Sequence, residues 1–151
     1  MKYFCFPVVI ITALITVACT HEEKAVWQPA DNPILTKWAR DVNPDAPWPE
    51  YPRPGLVRDE WMNLNGLWNY SICERSGEPG DPVGKILVPY PVESALSGVK
   101  QRMSDSLAIW YSRDFELPVE WKEKQLILNF DASDWETTVW VDDKLAGKHR
   151  G

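Results

Sequence analysis

The chain carries 22 acidic residues, and paired carboxylates are the first chemistry to test against them. Two carboxyl groups flanking a glycosidic bond hydrolyse it at separations of about 5–5.5 Å or about 6.5–9.5 Å, depending on the stereochemical course. The densest acidic group here is Asp131, Asp134 and Glu136, around Trp135. Its place between two strand-like stretches gives it the character of a polar turn. The remaining acidic residues fall in loops and on strand faces, as solvated surface does, so no catalytic residue is assigned. Metal chemistry has no better basis. The three cysteines (Cys5, Cys19, Cys73) and two histidines (His21, His149) are scattered along the chain, with nothing resembling zinc-ligand spacing. There is no Gly-rich phosphate loop and no Ser-centred elbow. No cofactor is expected.

Tryptophan is the other resource. Nine in 151 residues is a high count, and sugar rings present apolar C–H faces that stack on indole, although a small domain uses most of its aromatic area inside. Trp68 and Trp140 sit on strand-like patterns and are expected to be structural. Trp135, flanked by Ser133, Asp134 and Glu136, is the more exposed type and a candidate substrate-binding residue. The net charge of −6 argues against nucleic acid, whose phosphates call for a basic surface. It suits a neutral ligand such as a carbohydrate.

The elements that position these residues follow from periodicity. Lys2 and an apolar run from Phe6 to Val17 make residues 1–18 a signal peptide, too short for a comfortable membrane span. Ile15-Thr16-Val17-Ala18-Cys19 resembles a bacterial lipobox, with Thr16 where Leu is usual. Cys19 is then the first mature residue and carries lipid, and the protein is exported to the periplasm or cell surface, meeting the membrane only through that lipid. An ordinary signal peptidase would cut at the same place. Residues 19–54 form a Pro-rich arm whose prolines forbid helix and central strand. Trp48 and Tyr51 imply that the arm lies along the domain.

Residues 55–151 alternate apolar and polar in short runs. Leu64-Asn65-Gly66 is a turn feeding a strand over Leu67–Ile72, with Trp68, Tyr70 and Ile72 on one face. A loop over Glu74–Gly84 leads to a short strand, Lys85–Val88. Ala108–Leu117 is the clearest half-buried alternation, followed by Gln125–Phe130 and Glu136–Val141, after which Asp142-Asp143 turns the chain. Such spacing, without a convincing long helix, predicts an all-β sandwich or barrel. A stop at Gly151 just after a strand leads us to expect an incomplete sandwich.

Several of these segments resemble glycoside hydrolase family 2. They are Tyr51-Pro52-Arg53-Pro54 with Arg58 and Trp61; Leu64-Asn65-Gly66-Leu67-Trp68; Val88 to Gly98; Trp110-Tyr111-Ser112-Arg113; and Leu126 to Phe130 with Val139-Trp140-Val141, Gly147, His149 and Gly151. The resemblance spans residues 33–151 in the family's order, departing at Asp142-Asp143, where members usually turn with Asn-Gly, so a looser hairpin is expected. It implies the N-terminal sugar-binding domain, a jelly-roll, galactose-binding-like sandwich. An immunoglobulin-like domain and a (β/α)₈ barrel bearing the catalytic glutamates would follow, absent from this chain. The parent would be a retaining hydrolase of O-glycosyl bonds in carbohydrate catabolism, β-galactosidase-like, and this piece alone inactive. In some members the sandwich lends polar loop residues to the active-site rim; the matching stretch is Pro89 to Gly98, which makes Glu93 and Ser94 substrate-binding candidates. The partners implied are a non-reducing-end sugar and the missing C-terminal domains. The alternative is a free-standing carbohydrate-binding surface lipoprotein without a catalytic partner.

Overall fold

A computed structural model describes residues 27–32 and 34–151. The signal segment and Cys19 lie outside the described residues. The fold is all-β: five antiparallel strands, with short 3-10 turns in place of longer helices among the described residues. The chain divides into two compact units, the first ending at Arg113 and the second being Asp114–Gly151.

The first unit is a three-stranded sheet in the order β2-β1-β3. Strand β1 (Gly66–Glu74) is central. It pairs with β2 (Gly84–Val88) in the register Gly66↔Val88 to Tyr70↔Gly84, and with β3 (Leu107–Ser112) from Asn69↔Ser112 to Glu74↔Leu107. The Asn65-Gly66 pair starts β1 as its turn chemistry predicts. Gly66 has φ +131°, and a Cβ there would lie 3.0 Å from Arg113 Nη1. Only glycine gives this backbone and this close approach together. Arg113 Nη1 in turn donates to the carbonyls of Leu64 (2.7 Å) and Asn65 (2.8 Å), and Trp68 Nε1 donates to Leu64 O at 2.8 Å. The entry to the central strand is thus clipped by two side chains that share the Leu64 carbonyl, one of them also taking that of Asn65.

The core of this unit is small. Ile86 and Leu87 on β2 are fully buried. As adjacent strand residues point to opposite faces, both faces of β2 are covered there. Burying each stabilises by about 1.5–3 kcal/mol. Val92, Ala95 and Ser97, from the loop after β2, are buried with them, as are Ala39, Pro47, Gly66 and Ser71.

The Pro-rich arm does lie along this unit. Asn63 Nδ2 donates to Trp48 O (2.9 Å) and Asn65 Nδ2 to Pro47 O (3.3 Å). Tyr51 meets Trp61 edge-on at 4.9 Å between ring centroids.

The second unit is a hairpin of β4 (Glu136–Val141) and β5 (Lys144–Arg150). Its turn is tighter than the Asp142-Asp143 pair suggests. Val141 pairs directly with Lys144, and both aspartates adopt left-handed backbone, φ +49° and +61°, the mark of a two-residue type I′ connection. A register shift after Val139 pairs Val139 with Gly147 but Trp140 with Leu145, leaving Ala146 bulged.

Three further sequence expectations fail here. Gln125–Phe130 is not a strand: no neighbouring strand gives it a ladder among the described residues, and Leu126, Ile127, Leu128 and Phe130 are all exposed. The alternation over Ala108–Leu117 becomes a strand only as far as Ser112. Beyond it Phe115 and Leu117 stay exposed, and Trp140, expected to be structural, keeps 45% of its surface in solvent. No residue of the second unit is buried.

Candidate functional site

The loop from Pro89 to Gly98 is a built structure. It leaves β2 at a cis Val88–Pro89 peptide and folds on itself through Tyr90 N to Leu87 O (3.1 Å) and Ser94 N to Pro91 O (2.8 Å). A 3-10 turn, Ala95–Ser97, follows. Its closing residue is Ser97, fully buried, whose Oγ donates towards Ser94 O (2.8 Å) and Val92 O (3.2 Å) and accepts from Val99 N (3.0 Å) and Lys100 N (3.3 Å). One hydroxyl therefore ties both ends of the loop. Gly98 ends the turn at φ +83°, where a Cβ would come within 2.9 Å of the Trp27 indole nitrogen. Ala30 N and Gln101 N add bonds to Ala95 O (2.8 Å) and Val92 O (3.0 Å).

On this frame the two sequence candidates differ. Ser94 is half-buried, and its Oγ accepts from Leu96 N at 3.2 Å, capping the 3-10 turn. Its first duty is local, and its O–H proton is left to donate. Glu93 is exposed, standing between a buried Val92 and the capping serine. Its charge is felt on β3. Partial burial, and then the Glu93 carboxylate, raise the Tyr111 phenol above its ordinary value of 10.0. Burial and a nearby anion both disfavour the phenolate. With 40% of Tyr111 exposed, solvent screens this interaction. A neutral O–H, donor and acceptor at once, thus stands within electrostatic reach of a carboxylate. Sugar hydroxyls take that combination of partners.

Tyr111 belongs to a tyrosine row across the sheet, paired with Tyr70, which pairs in turn with Gly84. The Tyr70 ring lies over Gly84, within 3.3 Å of where a Cβ would stand. Nothing in the local sequence around Tyr111 marks it as an electrostatic neighbour of Glu93, and its strand partner is Tyr70 rather than a residue of the loop. A second aromatic also reaches the loop: Trp48 Nε1 donates to the Tyr90 hydroxyl at 3.2 Å. Trp48 sits at φ +52°, a left-handed backbone that costs about 1–3 kcal/mol for a bulky residue.

Trp135 belongs to the second unit. It is 55% exposed, and the Arg150 guanidinium lies 5.8 Å from its ring centroid. Arg150 Nη2 also pairs with Glu136 Oε1 at 2.8 Å, and Gly151 N donates to Trp135 O at 2.9 Å. Trp135 and Glu136 are therefore engaged by the facing strand. Glu93 and Ser94 share one loop; Trp135 is in a separate unit. Among the described residues no group of three or more His, Cys, Asp or Glu side chains is placed to hold a metal, and no helix is long and apolar enough to cross a membrane.

No protein-family model matches the chain. Over 101 residues it is 24% identical to a beta-glucuronidase of Streptococcus agalactiae serotype V, an alignment covering 67% of this chain and 17% of that protein. The chain thus spans about a sixth (17%) of the length of the relative it matches.

Proposed function

We propose that this chain is the N-terminal sugar-binding domain of an exported family 2 glycoside hydrolase, a jelly-roll sandwich that presents a non-reducing-end sugar to a catalytic barrel elsewhere in the polypeptide. The observation that carries this reading is the braced loop from Pro89 to Gly98. It holds Glu93 exposed and the capping Ser94 beside it, in the segment that resembles the family's active-site rim. The similarity to a beta-glucuronidase supports a glycosidase parent of that general kind, with β-galactosides and β-glucuronides as the substrates to try first. Cys19 carries the lipid that holds the exported protein at the membrane.

In the full protein Glu93 accepts from sugar hydroxyls, Tyr111 donates or accepts beside it, and Ser94 contributes its remaining proton. None of these groups breaks the bond; they orient the ring, and the barrel supplies the acid and the nucleophile. The purified chain should turn over no nitrophenyl β-galactoside or β-glucuronide. It should bind the corresponding methyl glycosides weakly, near the millimolar range expected of a few hydrogen bonds and one stacking contact. Turnover that survives Glu93→Ala would end this reading.

A further inference from the structure

We infer that the exposed indole of Trp48 is a stacking platform for a pyranose ring, set beside the loop that carries Glu93. The inference rests on the reading of the first unit as a sugar-binding module and adds to it a contact residue from the Pro-rich arm. Trp48 keeps 64% of its surface in solvent, although it is among the largest apolar side chains of the arm. Exposure alone means little, since isolated surface aromatics are common. What distinguishes Trp48 is how firmly it is held while exposed. Its ring is fixed by the edge through Nε1–H to the Tyr90 hydroxyl (3.2 Å). Its own carbonyl takes the Asn63 amide (2.9 Å), and the preceding carbonyl takes the Asn65 amide (3.3 Å). Its backbone is kept at φ +52°, a conformation that persists only where the surroundings over-determine it.

An in-plane N–H bond spends the edge of the indole and leaves the ring face available. A rigid aromatic loses little conformational freedom on binding, which favours it as an anchor. The chemistry around it selects the ligand class. Tyr90 and Glu93 lie three residues apart on one loop, and the chain is acidic overall, with net charge −6. An apolar face with a phenol at its edge, held against a loop that also carries a carboxylate, matches a pyranose, whose C–H face is apolar and whose rim is hydroxyl. It does not match a polyanion.

The test uses the full chain with 5-fluorotryptophan incorporated, the Trp48 fluorine resonance assigned by its loss in Trp48→Phe. Methyl β-D-galactoside and methyl β-D-glucuronoside are the probes, titrated separately. Saturable movement of the Trp48 resonance by at least one of them, with affinity lowered about five- to tenfold in Trp48→Ala and largely kept in Trp48→Phe, is the expected result. Tyr90→Phe, which removes no stacking surface, should weaken binding less than Trp48→Ala. Backbone amide spectra of each variant establish that the sheet is intact. A sugar that binds while the Trp48 resonance stays still, with unchanged affinity in Trp48→Ala, overturns the platform but leaves the sugar-binding reading standing. Failure of both sugars to bind the wild-type chain overturns the two together.

Discussion

Glu93 stands on a loop and Tyr111 on a strand, and the charge of one bears on the titration of the other. Because burial is the larger cause, Glu93→Gln should lower the Tyr111 pKa without returning it to 10.0. Tyrosine-ring carbon shifts, assigned with Tyr111→Phe, read this directly. The same shift sets a sign for stability. A phenol whose folded pKa lies above its unfolded value contributes stability that is fully present below pH 10.0 and is lost as pH climbs through the folded value. Thermal melting should therefore decline on the alkaline side, and Tyr111→Phe should flatten that decline. No such relief is expected in acid from this residue. Trp48 is the complementary case at this scale, a residue kept in costly backbone by its neighbours rather than by its own preference.

At the scale of elements, the two-residue turn Asp142-Asp143 closes a hairpin that glycine would close more easily. Aspartate tolerates left-handed backbone better than most residues, but Asp143 at φ +61° still carries a penalty that glycine lacks. Asp143→Gly should stabilise the hairpin by about 1 kcal/mol, seen as slower amide exchange across the Val141–Lys144 pair. Elements whose pattern agrees with their surroundings were legible in the sequence. The expected Leu67–Ile72, Lys85–Val88 and Glu136–Val141 lie within or coincide with the observed β1, β2 and β4. Gln125–Phe130 has an equally good alternation and forms no strand, since a strand exists only when a neighbour accepts its ladder, and one segment's pattern cannot supply that neighbour. The site divides in the same way. The loop bearing Glu93 and Ser94 is a candidate through the resemblance that its local motif carries. Trp48 is not legible as its neighbour, because a hydrogen bond spanning 42 positions brings it there. Trp140 was misjudged for a related reason: a strand pattern says which side chains share a face, not whether anything covers that face.

For the whole molecule the two units have unequal internal support. The first has a three-stranded sheet and every buried side chain of the described residues. The second has a two-stranded hairpin with none buried, and an isolated hairpin is marginal in water. Hydrogen exchange should therefore show β1 amides facing β2 protected well beyond those of β4 and β5. Ile86→Ala should cost about 2–5 kcal/mol and strip protection from the first unit. Comparable protection in both units would mean that the hairpin draws stability from something other than its own ladder.

The Asn65-Gly66 junction also governs how the protein ages. An asparagine followed by glycine is chemically fragile, because the glycine backbone nitrogen can attack the side-chain carbonyl carbon and expel ammonia, and water then opens the resulting succinimide to aspartate or isoaspartate. Here the asparagine amide is tied to Pro47 O and Gly66 is buried at the start of the central strand, so the folded chain restrains the very motion that cyclisation requires. Deamidation at this site, followed by peptide mass mapping after storage, should track the unfolded population, and each event would replace a donor to the Pro-rich arm with a negative charge.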